Sequence, residues 1–332
     1  MRKLKISVLG DGGWGTTLAI LLSSKSYVVT LWGAFENYTK AMAKNRLNSK
    51  FLPGIRIPRK IEITSDLKKA IFCKDIIVLA IPSQYTRNIL KKIKGNFSKN
   101  TIFLSVTKGI EIKSLKRISE IINSELGSVK LAVLSGPTIA GEVAKGIPTA
   151  AVIASSNKKV RKLLQTIFNT ERFRVYTNPD VIGVELGGSL KNVIAIACGV
   201  SDGLGFGSNT KAAILARGLA EISRLGKKMG ATLETFSGIS GLGDLVTTCI
   251  SKQSRNRFVG EQIGKGKTLK EIYKNMQMVA EGVPTAKSAF ALSKKYKVDM
   301  PITKEVYKLL YQGKTPSKAV NDLMTRKSKE EI

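Results

Sequence analysis

The sequence predicts an α/β fold, in which a doubly wound, mostly parallel sheet is followed by an all-α domain. In the first part of the chain, near-continuous apolar runs alternate with amphipathic stretches, which is typical of parallel strands covered by helices on both faces. A glycine-rich turn follows the first run, and beyond about residue 180 helical periodicity replaces the strand pattern. We therefore expect one domain over residues 1–180 and a second over residues 181–332.

Six apolar runs are the predicted strands of the first domain. They cover residues 4–9, 27–32, 75–81, 101–106, 130–134 and 150–154. Polar or glycine-containing segments follow four of them, at residues 10–15, 82–84, 107–109 and 135–138. Ligands of doubly wound sheets bind outside the carboxyl ends of the strands, so these four segments are expected to line one crevice.

The second domain is predicted to be entirely helical. Its helices are expected over residues 181–200, 209–229, 254–264, 268–274, 281–296, 302–311 and 315–326. No Gly-, Pro- or Ser-rich linker separates the two parts, which predicts a packed boundary between them.

The composition excludes several classes of chemistry. The 332 residues include no histidine, so a lysine or a carboxylate must move any proton. Cys73, Cys198 and Cys249 have no metal-binding or redox spacing, and we expect free thiols, a reducing compartment and no metal site. The chain starts directly with an apolar strand and has no apolar run of about 18 residues, which predicts a cytoplasmic protein without a membrane span.

The net charge of +31, from 55 Lys and Arg against 24 Asp and Glu, raises the alternative of a nucleic-acid or membrane-surface partner. The basic residues recur singly or in short pairs, such as Lys68-Lys69 and Lys294-Lys295, mainly on predicted helix faces. A dispersed basic surface without a specific nucleic-acid site is the favoured interpretation, and its field would attract a phosphorylated ligand.

The glycine-rich turn matches the dinucleotide-binding fingerprint G-x-G-x-x-G in its required place between a strand and a helix. Gly10 would permit the tight turn, Gly12 would let the backbone approach a diphosphate, and Gly15 would allow close packing of helix on strand. The diphosphate would bind the free N–H groups at the start of the helix. Trp14 is expected either to anchor the core or to line the cofactor cleft, and its neighbours favour the cleft. The turn therefore predicts a Rossmann domain that binds NAD or NADP.

The choice between NAD and NADP is usually determined at the end of the second strand. There an acidic residue binds the ribose 2′-hydroxyl, or an arginine accepts a 2′-phosphate. In this chain Ala34 and Phe35 follow the strand and Glu36 comes late, so both cofactors stay open, with a slight preference for NAD.

An ordered set of motifs extends over nearly the whole chain. Its members are Gly10-x-Gly-x-Trp-Gly15, Phe51-Leu52-Pro53, Ile81-Pro82-Ser83, Thr107-Lys108-Gly109, Ser135-Gly136-Pro137-Thr138, Glu185-Leu186-Gly187-Gly188-Ser189-Leu190-Lys191-Asn192, Gly241-Leu242-Gly243-Asp244, Ser254-Arg255-Asn256 and Glu281-Gly282. In this set the chain resembles the bacterial NAD(P)-dependent glycerol-3-phosphate dehydrogenases. The resemblance implies a Rossmann domain, a helical C-terminal domain, a homodimer, and reversible reduction of dihydroxyacetone phosphate to sn-glycerol 3-phosphate for phospholipid synthesis.

The resemblance also implies roles for individual residues. Lys191 matches the proton acceptor of the family. Substrate contacts are implied for Lys108, Gly136, Thr138, Lys191, Asp244, Ser254, Arg255 and Asn256. Cofactor contacts are implied for Gly13, Trp14, Lys108, Ala140, Arg255, Val279 and Glu281, in addition to Gly10, Gly12 and Gly15. The chain departs from the family at Ala34 and Phe35, where a basic residue is common, and this again leaves the cofactor open.

Lys191 has the chemistry that such a reaction needs. Reduction of a ketone leaves an alkoxide that must take up a proton, and without histidine a lysine is a sensible donor. Gly187 and Gly188 would allow ligands close to its helix, and burial near other cations would lower its pKa towards neutrality. Lys108, at the end of a predicted strand, would stabilise the developing negative charge. For both lysines a purely structural or surface position is the alternative.

The C-terminal motifs contain groups suited to an anionic ligand. The tripeptide Ser254-Arg255-Asn256 supplies hydroxyl, guanidinium and amide donors where a helix is expected to begin. Ser254 is equally suited to cap that helix. Asp244, in a glycine-flanked turn, is expected to hold a substrate hydroxyl, to orient Lys191 or to cap the next helix. Glu281 is expected to bind a ribose hydroxyl or to start a helix.

Two other functions agree with part of the pattern. A related Rossmann dehydrogenase of a 3-hydroxy acid or a sugar acid would share the glycine turn and a catalytic lysine, but the Ser254-Arg255-Asn256 tripeptide favours a phosphate ligand. A basic regulator that binds NAD(H) and nucleic acid would explain the charge of +31 but not Lys108, Lys191 and Asp244 in one set.

Overall fold

The structure is a computed structural model that describes residues 3–274, 276, 278–328 and 330–331. Six residues of the two predicted domains lie outside the described residues. They are Met1, Arg2, Asn275, Gln277, Lys329 and Ile332. Within the described residues the chain forms a sheet flanked by helices and then a helical assembly.

A mixed sheet organises the first part of the fold. The strands of this part are β1 (Lys5–Leu9), β2 (Val28–Trp32), β3 (Leu47–Asn48), β4 (Leu52–Arg56), β5 (Glu62–Thr64), β6 (Ile76–Leu79), β7 (Ile102–Ser105), β8 (Lys130–Ser135), β9 (Thr149–Ala154) and β10 (Phe173–Asn178). Eight of the described strands form one sheet in the order β10-β9-β8-β7-β6-β1-β2-β5. β3 and β4 form a separate antiparallel hairpin.

The sheet is parallel from β5 through β2, β1, β6 and β7 to β8. β9 pairs antiparallel with β8, and β10 pairs parallel with β9. The prediction of a mostly parallel sheet is confirmed, and all the predicted strands are present. The sequence did not predict β3, β4, β5 or β10. In β10 the exposed side chains of Arg174 and Tyr176 interrupt the apolar run.

Both faces of the sheet are buried, because successive side chains of a strand point to opposite sides. Ile76 and Val78 belong to one apolar core, whereas Ile77 and Leu79 belong to another. The helices of this part are α1 (Gly13–Ser24), α2 (Glu36–Asn45), α3 (Leu67–Ile71), α4 (Ser83–Ile93), α5 (Ile118–Leu126), α6 (Ala140–Ala144) and α7 (Lys158–Phe168).

Helices make up the rest of the described chain. They are α8 (Val181–Gly203), α9 (Ser208–Lys228), α10 (Glu234–Ser237), α11 (Asp244–Ile250), α12 (Arg255–Gly264), α13 (Leu269–Lys274), α14 (Gly282–Lys295), α15 (Pro301–Tyr311) and α16 (Pro316–Met324). A π-helical turn, Ile239–Gly243, leads directly into α11. All the predicted helices are present with small shifts at their ends, whereas α10, the π-helical turn and α11 were not predicted.

The central element of the helical part is α8. By length and composition alone this helix could cross a membrane, but 83% of its apolar window is buried inside the protein. Its buried side chains belong to a core cluster that also includes residues of the surrounding helices. Burial of this kind is usual for the core helix of a water-soluble protein, so α8 is weak evidence for a membrane span.

The helices α8 and α12 pack backbone against backbone. A Cβ atom on Gly199 would lie 2.0 Å from the carbonyl oxygen of Arg257, and one on Gly260 would lie 2.0 Å from that of Ile196. A side chain at either glycine would push the helices apart. The close packing therefore holds the start of α12, with its Ser254-Arg255-Asn256 tripeptide, near the helix that carries Lys191.

Candidate functional site

The four segments that were expected to line a crevice lie at one edge of the sheet. β1, β6, β7 and β8 run parallel, so their carboxyl ends point in the same direction. The helix α8 passes this edge, because a Cβ atom on Gly188 would lie 2.3 Å from Oγ of Ser135, the last residue of β8. The helical part of the chain therefore borders the crevice.

The glycine turn between β1 and α1 has the geometry of a dinucleotide site. Gly10 has a φ of +118°, and a Cβ atom there would lie 2.4 Å from the carbonyl oxygen of Ala80. A Cβ atom on Gly15 would lie 1.9 Å from the carbonyl oxygen of Gly10, so α1 packs directly on the end of β1. Gly12 faces open space and gives α1 no side-chain cap. The first amides of α1 are thus placed to bind a diphosphate, and the turn fits NAD or NADP.

Three other residues implied as cofactor contacts lie near the first turn of α1. A Cβ atom on Gly13 would be 3.6 Å from Cβ of Ala140, whose carbonyl oxygen accepts a hydrogen bond from the hydroxyl of Thr17 at 3.1 Å. The ring of Trp14 packs against the sheet core, with its centroid 6.4 Å from that of Phe173. The indole N–H of Trp14 is buried and has no hydrogen-bond partner within the described part of the chain. Gly13 and Ala140 therefore border the turn, whereas Trp14 contacts the core.

Two lysines and one carboxylate form the polar centre of the crevice. Nζ of Lys108 lies 2.8 Å from Oδ2 of Asp244, and Lys191 forms a salt bridge with Oδ1 of the same carboxylate. Lys191 also donates to Oγ1 of Thr248 at 2.6 Å. Asp244 is 1% exposed and Lys191 is 4% exposed, so these charges are buried. Asp244 is the first residue of α11, and its side chain binds the two lysines.

Burial brings the pKa of Lys191 to about 7. The loss of hydration, which disfavours the charged ammonium, is the main cause, and the charge of Lys108 lowers the pKa further. Asp244 acts in the opposite direction and raises the pKa. A pKa near neutrality suits a group that must both release and take up a proton.

The turn after β8 surrounds the ammonium of Lys108. Lys108 donates to the carbonyl oxygen of Gly136 at 2.8 Å and lies 3.2 Å from Oγ1 of Thr138. The hydroxyl of Ser135 lies 3.4 Å from Oδ2 of Asp244. Gly136 and Thr138, both implied as substrate contacts, are therefore direct neighbours of Lys108.

A series of amide hydrogen bonds connects this centre to α12 and α14. Asn192 donates to the carbonyl oxygen of Lys108 at 3.0 Å and accepts from the side chain of Asn256 at 2.9 Å. Asn256 in turn accepts from the main-chain amide of Gly282 at 2.8 Å. These bonds fix the starts of both helices relative to Lys108.

The other two residues of the tripeptide have different surroundings. Ser254 caps α12 by accepting from the amide of Arg257 at 3.2 Å, as one of its two interpretations expects. Arg255 is exposed and donates to the carbonyl oxygen of Val279 at 2.8 Å. Arg255 is therefore the cation that the tripeptide presents to solvent.

Glu281 connects the helical part to the turn after β6. Its carboxylate accepts from the amide of Ser83 at 2.8 Å and from the hydroxyl of Ser83 at 2.6 Å. Burial raises the pKa of Glu281, although these two bonds act against the shift. Glu281 stands directly before α14 without capping it by its side chain. The contact with Ser83 was not among the roles expected for Glu281.

Sequence reasoning missed Thr248, Ser83, Ser135 and the contacts of Asn192. Thr248 lies one helical turn after Asp244, so the two face the same side of α11, and this spacing was an available signal. Ser83 and Ser135 follow predicted strands and belong to the motifs, but neither was given a role of its own. Asn192 follows Lys191 directly, but its partners are distant in sequence.

The three cysteines are free thiols, with Cys73 exposed and Cys198 and Cys249 buried. In the part of the chain that the structure describes, no group of three or more cysteine, aspartate or glutamate side chains could hold a metal ion.

Family models match nearly the whole chain. The model of the NAD-dependent glycerol-3-phosphate dehydrogenase N-terminus matches residues 5–161, and that of the C-terminus matches residues 180–321. A glycerol-3-phosphate dehydrogenase of Thermoanaerobacter sp. (strain X514), named for NAD(P)+, is 51% identical over 329 residues, which are 99% of this chain and 99% of that protein. One of Prosthecochloris aestuarii, with the same name, is 50% identical over 330 residues, which are 98% of this chain and 99% of that protein.

Solved structures agree with this assignment. The crystal structure of glycerol-3-phosphate dehydrogenase from Coxiella burnetii has a TM-score of 0.95 at 39% identity and covers 98% of this chain and 99% of its own. The structure of glycerol-3-phosphate dehydrogenase from Saccharomyces cerevisiae has a TM-score of 0.83 at 30% identity and covers 98% of this chain and 100% of its own. With matched domains, full-length relatives and the same architecture, the chain belongs to the NAD-dependent glycerol-3-phosphate dehydrogenase family.

Proposed function

We propose that this chain is an NAD(P)-dependent oxidoreductase that interconverts sn-glycerol 3-phosphate and dihydroxyacetone phosphate and thereby feeds glycerophospholipid synthesis. The observation that carries the proposal is the buried cluster of Lys108, Asp244 and Lys191 at the sheet edge that also holds the glycine turn. Full-length relatives that bear the name of this activity support the choice of substrate.

The amino end of α1 is the proposed diphosphate site. Gly10, Gly12 and Gly15 shape the turn, and Gly13 and Ala140 border it. When bound, the cofactor supplies the hydride for reduction and accepts it in oxidation.

Lys191 is the proposed proton donor. Reduction of dihydroxyacetone phosphate leaves negative charge on the former carbonyl oxygen, and the Lys191 ammonium protonates it. In the reverse direction the neutral amine of Lys191 takes the proton from the hydroxyl group. Asp244 and Thr248 hold Nζ of Lys191 in place, and Lys108 provides a second cation for the developing charge.

The amino end of α12 is the proposed phosphate site. Arg255 is exposed there, and its bond to Val279 uses one of the five N–H donors of a guanidinium group. The positive end of the helix dipole adds to this cation. Ser254 and Asn256 flank Arg255 and are bonded within the protein, so we assign the main phosphate contact to Arg255.

We further propose that residues 1–180 bind the cofactor and residues 181–332 the substrate. The end of β10 at Asn178 and the start of α8 at Val181 support this division. A cytoplasmic location is proposed from the burial of α8 and the likeness to the bacterial relatives. The homodimer remains a proposal from the family resemblance.

Turnover is tested by following the absorbance of NADH and NADPH after addition of dihydroxyacetone phosphate. The wild type is expected to oxidise at least one of them, and Lys191→Ala to lower kcat at least about a hundredfold, the low end of a general acid's contribution. Lys158→Ala, at the exposed start of α7, is the matched control and should keep the wild-type rate. A wild type that oxidises neither cofactor, or an undiminished Lys191→Ala variant, contradicts the proposal.

A further inference from the structure

The end of β2 lacks the side chain that normally recognises the adenosine ribose. In Rossmann domains an acidic residue after the second strand binds the ribose 2′-hydroxyl. Here β2 ends at Trp32, and Gly33, Ala34 and Phe35 follow it. The space beside Gly33 is nevertheless filled by a carboxylate, together with the hydroxyl of Thr39.

The carboxylate belongs to Asp11, in the glycine turn after β1. A Cβ atom on Gly33 would lie 2.3 Å from Oδ2 and 2.6 Å from Cγ of Asp11. The main chain of Asp11 is held in place, because its carbonyl oxygen accepts from Asn48 Nδ2 at 2.8 Å and from Thr16 Oγ1 at 3.2 Å. Asp11 thus places an acid at the end of β2, where Gly33 leaves room for it.

Oδ2 of Asp11 is a buried acceptor that has no hydrogen-bond partner among the described residues. Asp11 as a whole is 8% exposed. Burial of an unpaired polar atom costs free energy, and most such atoms in folded proteins are paired. The pKa of Asp11 is raised, with burial as the main cause. A bound ligand that brings a donor to Oδ2 would remove this cost.

We propose that Asp11 determines the choice of cofactor, because its carboxylate accepts a hydrogen bond from the 2′-hydroxyl of the adenosine ribose and repels a 2′-phosphate. The chain then prefers NAD(H) to NADP(H). A hydroxyl group has a proton to donate to Oδ2, whereas an ionised phosphate brings acceptors and a like charge. The inference rests on the proposed dinucleotide site and adds to it the residue that selects between the two cofactors.

Lys50 is the charged group that acts against this preference. It lies between β3 and β4, and its charge lowers the pKa of Asp11 against the larger effect of burial. Lys50 is exposed, and its ammonium lies 5.1 Å from the centroid of the Phe51 ring. Water and salt screen an exposed ammonium much more than a buried carboxylate. We therefore expect Asp11 to dominate.

The test is calorimetric titration of the full chain with ADP-ribose and with 2′-phospho-ADP-ribose, which carry no nicotinamide and so report binding without turnover. The wild type should bind ADP-ribose at least about tenfold more tightly. Asp11→Asn keeps the shape of the side chain and removes its charge. It should bring the two Kd values within about threefold of each other, mainly because the variant binds 2′-phospho-ADP-ribose more tightly. Lys50→Gln is the control, because it removes the positive charge that acts on Asp11. This variant should keep or increase the preference for ADP-ribose.

Two results overturn the inference directly. One is a wild type that binds the phosphorylated ligand as tightly as ADP-ribose or more tightly. The other is an Asp11→Asn variant that binds both ligands more weakly by the same factor, although its thermal unfolding shows that it is folded. Equal weakening is the effect expected of a purely structural residue. Failure of the wild type to bind either ligand overturns the proposed dinucleotide site together with the inference. Selective binding of ADP-ribose without turnover supports the inference and contradicts only the proposed reaction.

Discussion

The ammonium of Lys108, just after the end of a strand, lies 2.8 Å from the carboxylate of Asp244, at the start of a helix 136 residues further along the chain. This bond joins the sheet to the helical part at the place where the proposed proton donor lies. Lys191 shares the same carboxylate, so one negative charge faces two cations in a buried site. Burial lowers the proton affinity of Lys191, and the charges of Asp244 and Lys108 then shift it in opposite directions.

Asp244→Asn should shift the pH dependence of the reaction to lower pH. Asp244 raises the pKa of Lys191 against burial and Lys108, so loss of its charge takes this pKa below its value of about 7. Reduction needs the protonated amine, so kcat/KM for dihydroxyacetone phosphate falls as the pH rises. In the variant the midpoint of this fall should lie at a lower pH than in the wild type. The measurement is kcat/KM with the preferred cofactor between about pH 5 and pH 9.

Ser135→Ala is the control for this shift, because it removes a neighbour of Asp244 without changing any charge. Its profile should have the wild-type midpoint. An unchanged midpoint in Asp244→Asn would mean that Lys191 does not control the pH profile.

Glu185→Ala should strongly destabilise the contact between α5 and α8. Glu185 is 5% exposed, and its carboxylate accepts from the amide of Ser119 at 2.8 Å and from Arg117 at 2.6 Å. Its removal leaves the guanidinium of Arg117 without its buried partner. We therefore expect the free energy of unfolding in urea to fall by about 3 to 5 kcal/mol. Glu120→Ala, which removes a more exposed partner of Arg117, should cost about 1 kcal/mol. Equal losses in the two variants would contradict the role assigned to burial.

Gly260→Ala should separate α8 from α12. The new Cβ atom would meet the carbonyl oxygen of Ile196 at 2.0 Å, a contact that only backbone movement can relieve. We expect a loss of about 2 kcal/mol or more in the free energy of unfolding, and a higher KM for dihydroxyacetone phosphate because Arg255 moves with α12. Gly207→Ala is the matched control, since a Cβ atom there meets nothing within 4 Å. A Gly260→Ala protein as stable as this control would show that the helices are not closely packed.

Glu221→Gln should remove a pH-dependent component of stability. Glu221 is 1% exposed and accepts from the amides of Ile302 and Thr303 at the start of α15, and burial raises its pKa from 4.5 to about 7. The folded protein therefore binds this proton more tightly than the unfolded chain does. The stabilising contribution of Glu221 is fully present below pH 4.5 and is lost as the pH rises to about 7. Over this interval the free energy of unfolding decreases by about 3 kcal/mol.

The measurement is urea unfolding of wild type and Glu221→Gln at several pH values across this interval. The glutamine cannot ionise, so the difference in stability between the two proteins should change with pH in the stated direction. A constant difference would show that Glu221 has a similar pKa in the folded and unfolded chains.

The parts of the fold that follow from local patterns were predicted from the sequence. The parallel strands are buried on both faces and so appear as continuous apolar runs, and the core helices show a helical period. β5 has only the three residues of Glu62–Thr64, too few for a pattern. The direction of β9 depends on pairing with β8, which no local pattern encodes. The π-helical turn Ile239–Gly243 contains two glycines, and the sequence predicted only a glycine-flanked turn there.

The candidate site shows the same division. The glycine turn was recognised by its motif, and Lys191 was predicted from the family resemblance together with the absence of histidine. Ser83 and Asp11 could not be assigned, because their importance comes from neighbours far away in the sequence. For Thr248 the available signal was its spacing of one helical turn from Asp244. Asp11 occupies a variable position of the fingerprint, and only the packing against Gly33 shows where its carboxylate lies.

The hydrogen bond between Ser83 and Glu281 spans 198 residues of chain. During synthesis the sheet can fold as a unit before the helices are complete, because domains of a growing chain generally fold in order from the amino end. The turn after β6, however, gains its carboxylate partner only when residue 281 has left the ribosome. A nascent chain therefore has a folded sheet well before it has a complete cleft, and binding competence arises only after the residues around Glu281 have been synthesised.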